Sequence, residues 1–123
     1  MLQEHQRQRA MRIDVRIAQQ ALKVVLPMNR QIGPWQVKAA RLLAVAEKLR
    51  SSGSHNPGVA AETEALLDMV ERQHRSLIHE TESLPPDVAG SSRLQDTARA
   101  LQSVAGVLNR ALTVMKSKRD FSV

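Results

Sequence analysis

The chain has 123 residues, 42% hydrophobic and 24% charged, which is the size and composition of one folded domain and excludes a disordered chain or two separate cores. It contains no cysteine, which excludes disulfides, zinc–thiolate and iron–sulfur sites and a thiol nucleophile. The net charge of +6 directs attention to phosphate-bearing or acidic partners, and the shortage of aromatic residues, Trp35 and Phe121 alone, excludes the stacking platforms that bind single-stranded nucleic acid.

The first helical segment is expected over residues 3–26. Met11, Val15, Ala18, Leu22 and Val25 step 4-3-4-3 along one stripe. Ile13, Ile17, Ala21 and Val24 form a second stripe beside it, giving an apolar arc of roughly 200°, wider than a surface helix requires. Arg9, Arg12, Arg16 and Lys23 occupy the remaining face. Pro27 lacks the N–H for an i→i−4 bond, so the segment is expected to stop there, with a break over residues 27–33. Pro34 then suits the first position of a second segment, residues 34–50, whose stripe is Trp35, Ala39, Leu42, Ala46 and Leu49. Trp35 reads as a core anchor closing one end of the bundle.

The run "SSGSHNPG" is a loop of turn formers. Asn56 and Pro57 read as N-cap and N1 of a third segment, residues 57–83. Val59, Thr63, Leu66, Val70, Leu77 and Leu84 line its apolar side. Asp68–Arg72 and Glu71–Arg75 have i,i+4 spacing in the favoured acid-first order. "SLPPDVAGSS" breaks the chain again, near residues 85–91. Ser92 and Gln95 have capping-box spacing for a fourth segment, residues 92–117. There Leu94, Ala98, Leu101, Ala105, Leu108, Leu112 and Met115 alternate 4-3 without error, and Val104, Val107, Ala111 and Val114 make a second stripe. Residues 118–123 are a basic tail.

Heptad spacing on several segments with short polar connections predicts an all-α fold, an antiparallel left-handed bundle of four helices in one domain spanning residues 1–123. The pattern also fits a three-helix bundle with the first segment projecting as an arm. No fixed-period repeat and no apolar run long enough for a membrane span occurs. The N-terminus lacks the apolar stretch of a secretory signal, and with the missing cysteines this predicts an intracellular, cytoplasmic protein.

Chemistry is harder to find. "LIHETES" comes within one residue of the helical His-Glu-x-x-His zinc signature: His79 and Glu80 are present, but Ser83 stands at the second histidine position. His74, five residues earlier, lies about 140° around the helix from His79 and cannot share its metal. No metal, no cofactor and no catalytic residue is expected. No phosphate-binding glycine loop and no nucleophile elbow is present.

Two charged residues interrupt apolar arcs. Asp14 and Arg93 are expected to reach solvent or pair with an opposite charge. Gly106 lies inside the fourth segment, where glycine costs about 1 kcal/mol relative to alanine.

The expectation is therefore a non-enzymatic protein–protein interaction module: an adaptor, a chaperone-like protein or a subunit of a complex. It would act through the apolar faces of the first and fourth segments, with Ile13, Ile17, Val24, Val104, Val107, Ala111 and Val114 as partner-binding residues. Self-association into a homodimer, or assembly with another subunit, would cover the surplus apolar surface. The alternative is a nucleic-acid-associated protein. Phosphates would then be held by Arg9, Arg12, Arg16 and Lys23 on the first segment and by Lys116, Lys118 and Arg119 in the tail. Those cations would equally suit an acidic protein. The charge order tempers this reading, because residues 51–90 hold two Lys/Arg and seven Asp/Glu, enough to weaken the field of their basic neighbours. A small all-α enzyme with an interhelical site is the third alternative.

Overall fold

The computed structural model describes residues 2–121, with side chains described for residues 15–116. Four helices follow one another, α1 (Leu2–Ser52), α2 (Pro57–Glu82), α3 (Pro86–Ala89) and α4 (Ser92–Phe121), and no strand occurs among the described residues. The all-α fold and the count of four agree with the sequence. Which residues form the four differs. One helix of 51 residues replaces the two expected before residue 50, and the break at 85–91 contains the single turn α3.

Helix α1 passes through both Pro27 and Pro34 without interruption, which corrects the expected break over residues 27–33. Each proline removes one helical bond, from the carbonyls of Lys23 and Arg30, and strains the turn before it by about 3 kcal/mol. Both prolines, and both residues whose carbonyls lose a partner, are exposed, so water can satisfy the freed groups. The opposite face carries Ala21, Val25, Met28, Ile32 and Ala39, all buried. Burial of such side chains stabilises by about 1.5–3 kcal/mol for each large one, enough to hold the helix through its two weak turns. Gly33 lies between them with nothing near its Cβ position. It is a helix weakness and not a packing requirement.

The other ends follow local chemistry. Gly53 adopts φ 76, the left-handed position that ends α1. Ser54 N–H donates to the Leu49 carbonyl at 3.0 Å and Gly53 N–H to that of Arg50 at 3.4 Å, which is the Schellman pattern. Asn56 caps α2 as expected. Its side-chain oxygen accepts from the N–H groups of Gly58 at 3.0 Å and Val59 at 3.3 Å, with Pro57 following. Asn56→Ala should lower stability by about 1 kcal/mol in a denaturant titration; a change too small to resolve would mean that water replaces the cap. For α4 the first helical bond runs from Gln95 N–H to the Ser91 carbonyl, so the cap position is Ser91, one residue before the expected Ser92.

Helix α4 is the centre of the molecule. It packs most extensively against α1 and next against α2, whereas α1 and α2 touch each other sparingly. The Thr97 hydroxyl donates to Asn29 Oδ1 across α4 and α1 at 3.1 Å, and Lys38 pairs with Glu62 across α1 and α2 at 3.3 Å. Together with the proximity of Lys23–Gln31 to Gln73–Glu80, these contacts make α2 antiparallel to α1 and α4. The first and last helices run parallel.

One cluster of buried side chains joins all four helices. On α4 the deepest line is Leu94, Thr97, Leu101, Val104, Leu108 and Ala111, which lies midway between the two sequence stripes. On α2 it is Thr63, Leu66, Val70 and Leu77, and the Thr63 hydroxyl donates to the Val59 carbonyl at 2.8 Å. Val88 of α3 is 2% exposed and plugs the end of this core. Asp68 and Arg72 bridge at 3.0 Å on the outer face of α2. Trp35 is half-buried against the core and lies in the middle of α1, not at an end of the bundle.

Candidate interaction surfaces

The surplus apolar stripes of α1 and α4 face each other. Val104 and Ala111 are buried in the core at 2% and 0% exposure, which corrects their expected place on a partner-binding surface. A helix lying between two others needs an arc of about 200°, and α4 has two such neighbours. Ile17, Val24 and Val107 are half-buried and pack against the same core, and Val114 is half-buried. The side chain of Ile13 lies outside the described residues.

Apolar surface remains elsewhere. Val15, Leu26 and Val37 on α1 are 56%, 37% and 66% exposed, and Met69 and Ile78 on α2 are 51% and 45% exposed. The three on α1 are spaced eleven residues apart, about 20° per step, and so share one side of the helix.

Helix length places the first of them. At 1.5 Å per residue α1 extends about 76 Å, against about 39 Å for α2 and about 45 Å for α4. Its C-terminal end is tied to α2 through residues 53–56, and the Thr97–Asn29 bond puts the start of α4 level with residues near 24 of α1. The excess therefore lies at the N-terminal end. Ile17 still packs against the core, so residues 2–16, about 22 Å of helix, run beyond the other helices as an arm.

At that same end an apolar cleft of about 490 Å³ opens between α2, α3 and α4. Leu77 and Leu94 form its floor, at 1% and 2% exposure. Ile78, Leu84 and Pro86 wall it, and Glu82 stands at its rim. Exposed Asp87 follows Pro86 on α3, whereas Glu80 faces Lys23 of α1 and Asp96 is turned at least about 100° away from Leu94, Gln95 and Ala98 on α4.

Among the cations named by the sequence, Arg16, Lys23 and Lys116 are exposed. Lys116 lies beside His55 and Glu64, at the opposite end of the bundle from Arg16, so these two do not form one cluster. The side chains of Arg9, Arg12, Lys118 and Arg119 lie outside the described residues. Because α1 is unbroken, it extends the basic stripe in a way that a broken chain would not. Arg16, Lys23, Arg30, Arg41 and Lys48 are all exposed and fall within about 40° of arc over about 48 Å. Glu47 is the one acid on α1 from residue 15 onwards, and it lies about 100° away from the nearest point of that ridge. The ridge is opposite the buried face, where charge is the ordinary solution for solvation, but an acid-free line exceeds what solvation requires.

His79 is exposed and His74 half-buried. Among the described residues no three His, Asp or Glu side chains gather as metal ligands, and no helix is long and apolar enough to cross a membrane. Arg93 is exposed; the side chain of Asp14 lies outside the described residues. A Cβ at Gly106 would meet nothing within 4 Å, so glycine is not needed there for packing within the chain. Comparisons with protein-family models, with curated proteins and with solved structures return no match.

Proposed function

We propose that the chain is a non-enzymatic protein–protein interaction module, an adaptor or a subunit of a larger assembly, and that α1 is its docking element. The observation that supports this reading is the arm. A helical extension of about 22 Å is marginal in water on its own, because helices in proteins gain most of their stability from packing an amphipathic face. Met11 and Val15 continue the heptad line of Leu22 and Val25, yet Val15 is left 56% exposed. In the native cell the chain should travel with a mass well above 13.7 kDa, read by sizing of a mild extract. Val15→Glu should shift it downward while circular dichroism of the purified variant stays helical. Migration as a free monomer, with or without the substitution, overturns the reading.

The basic ridge favours a second reading, association with nucleic acid through phosphates. Five ridge cations neutralising five phosphates of a duplex would give log affinity a slope of about −4 to −5 against log salt. Arg30→Glu combined with Arg41→Glu should flatten that slope by about 2. Absence of duplex binding at low salt removes this reading.

A further inference from the structure

The cleft and the arm lie at the same end of the molecule, and the arm cannot reach its own cleft. Residues 2–16 continue α1 without a break, so folding back onto the bundle would require breaking the helix. A second copy meets no such obstacle. With two bundles placed end to end about a two-fold axis, each arm runs alongside the other bundle, past the ends of α2 and α4. This is an isologous arrangement that closes on itself and leaves neither cleft empty.

Charge selects the same occupant. The arm holds Arg7, Arg9, Arg12 and Arg16 against Glu4 and Asp14. At the cleft, Glu82 stands on the rim and Asp87 follows the lining residue Pro86. A basic helix laid in an apolar groove that carries Glu82 at its rim is matched in charge. Val15, 56% exposed, and Ile78, 45% exposed, are the described apolar residues left open on the two surfaces. Arg16 follows Val15 directly, as a rim cation should.

We infer that the chain forms a two-fold dimer in which the arm of each copy occupies the cleft between α2, α3 and α4 of the other, Val15 entering between Ile78 and Leu84 and Arg16 facing Glu82. This inference rests on the interaction-module reading and names its partner as a second copy. It differs from contact along the outer stripes of α1 and α4, because the apolar part of the interface lies at the bundle end.

The test uses the purified 123-residue chain. Light scattering at high micromolar concentration should give twice the 13.7 kDa monomer mass. Val15→Glu and Ile78→Glu should each reduce it to the monomer, with helical circular dichroism retained because both positions are exposed. Since the chain has no cysteine, Val15→Cys and Ile78→Cys copies can be prepared separately, mixed and oxidised. A disulfide-linked heterodimer in the mixture, exceeding the dimers formed by either variant alone, is the expected result. A monomeric wild-type chain overturns the inference, as does a dimer insensitive to both glutamates. Cross-linking of Val15→Cys copies to each other in place of Ile78→Cys copies also overturns it, by showing arm-on-arm contact. A purified monomer whose native-cell assembly is still lost on Val15→Glu overturns only the dimer and leaves the interaction-module reading intact.

Discussion

Leu101→Ala and Leu108→Ala should each lower unfolding stability by about 2–5 kcal/mol, the range for truncating a leucine in a core that cannot collapse around the cavity. Both residues are 0% exposed and sit on the helix that packs against both α1 and α2. Neither neighbour can close the gap without losing contact with the rest of α4. For a domain whose total stability is of order 5–15 kcal/mol, either change removes a large share. Urea titration followed by circular dichroism is the measurement. A loss under about 0.5 kcal/mol at both positions would mean that α4 is not the centre of the core. Position on the helix sharpens the comparison. Leu112, only half-buried in the same heptad line, should lose clearly less than Leu108 when truncated.

Pro27→Ala and Pro34→Ala should both raise stability, an unusual direction for substitutions inside a structured segment. In a continuous helix each proline costs about 3 kcal/mol. Its removal also frees the unfolded chain, which takes back about 0.4–1 kcal/mol. The net expectation is a gain of about 2 kcal/mol at each site, visible as a higher denaturant midpoint at unchanged slope. Both side chains are exposed, so no core contact is lost that would obscure the result. A fall in stability at Pro34 would indicate a helix that starts there, with proline at its first turn, and hence a real break before it. Because the arm is an extension of α1, these substitutions should also stiffen its attachment to the bundle.

Much of the architecture is legible in the residues. The 4-3 alternation from Leu94 to Met115 identified α4 and one edge of its buried face, Leu94, Leu101 and Leu108. The Asn56-Pro57 pair marked the start of α2, and the absence of strand signals identified an all-α fold. These features are local: periodicity and caps are properties of a few turns of chain, and they act the same way whatever packs above them. The same locality explains what was misread. Pro27 and Pro34 carry strong stop signals, but a stop signal is an energy of a few kcal/mol, and burial of Ala21, Val25, Met28, Ile32 and Ala39 against α4 exceeds it. α3 is four residues long, too short for any period, and its helical turn follows from Val88 filling the end of the core.

The sequence by itself determined that the chain is helical, which faces are apolar, and that residues 1–50 are basic while residues 51–90 are acidic. Only the tertiary structure decided how those faces are used. Val104 and Ala111 were candidates for an exposed surface until α1 and α4 were seen to lie side by side, parallel and in close contact. The arm, the cleft at its base and the ridge from Arg16 to Lys48 each depend on α1 being a single rod whose length exceeds that of its neighbours. Register between helices fixes such lengths, and it is set by long-range contacts such as Thr97 with Asn29 that no window of the sequence contains.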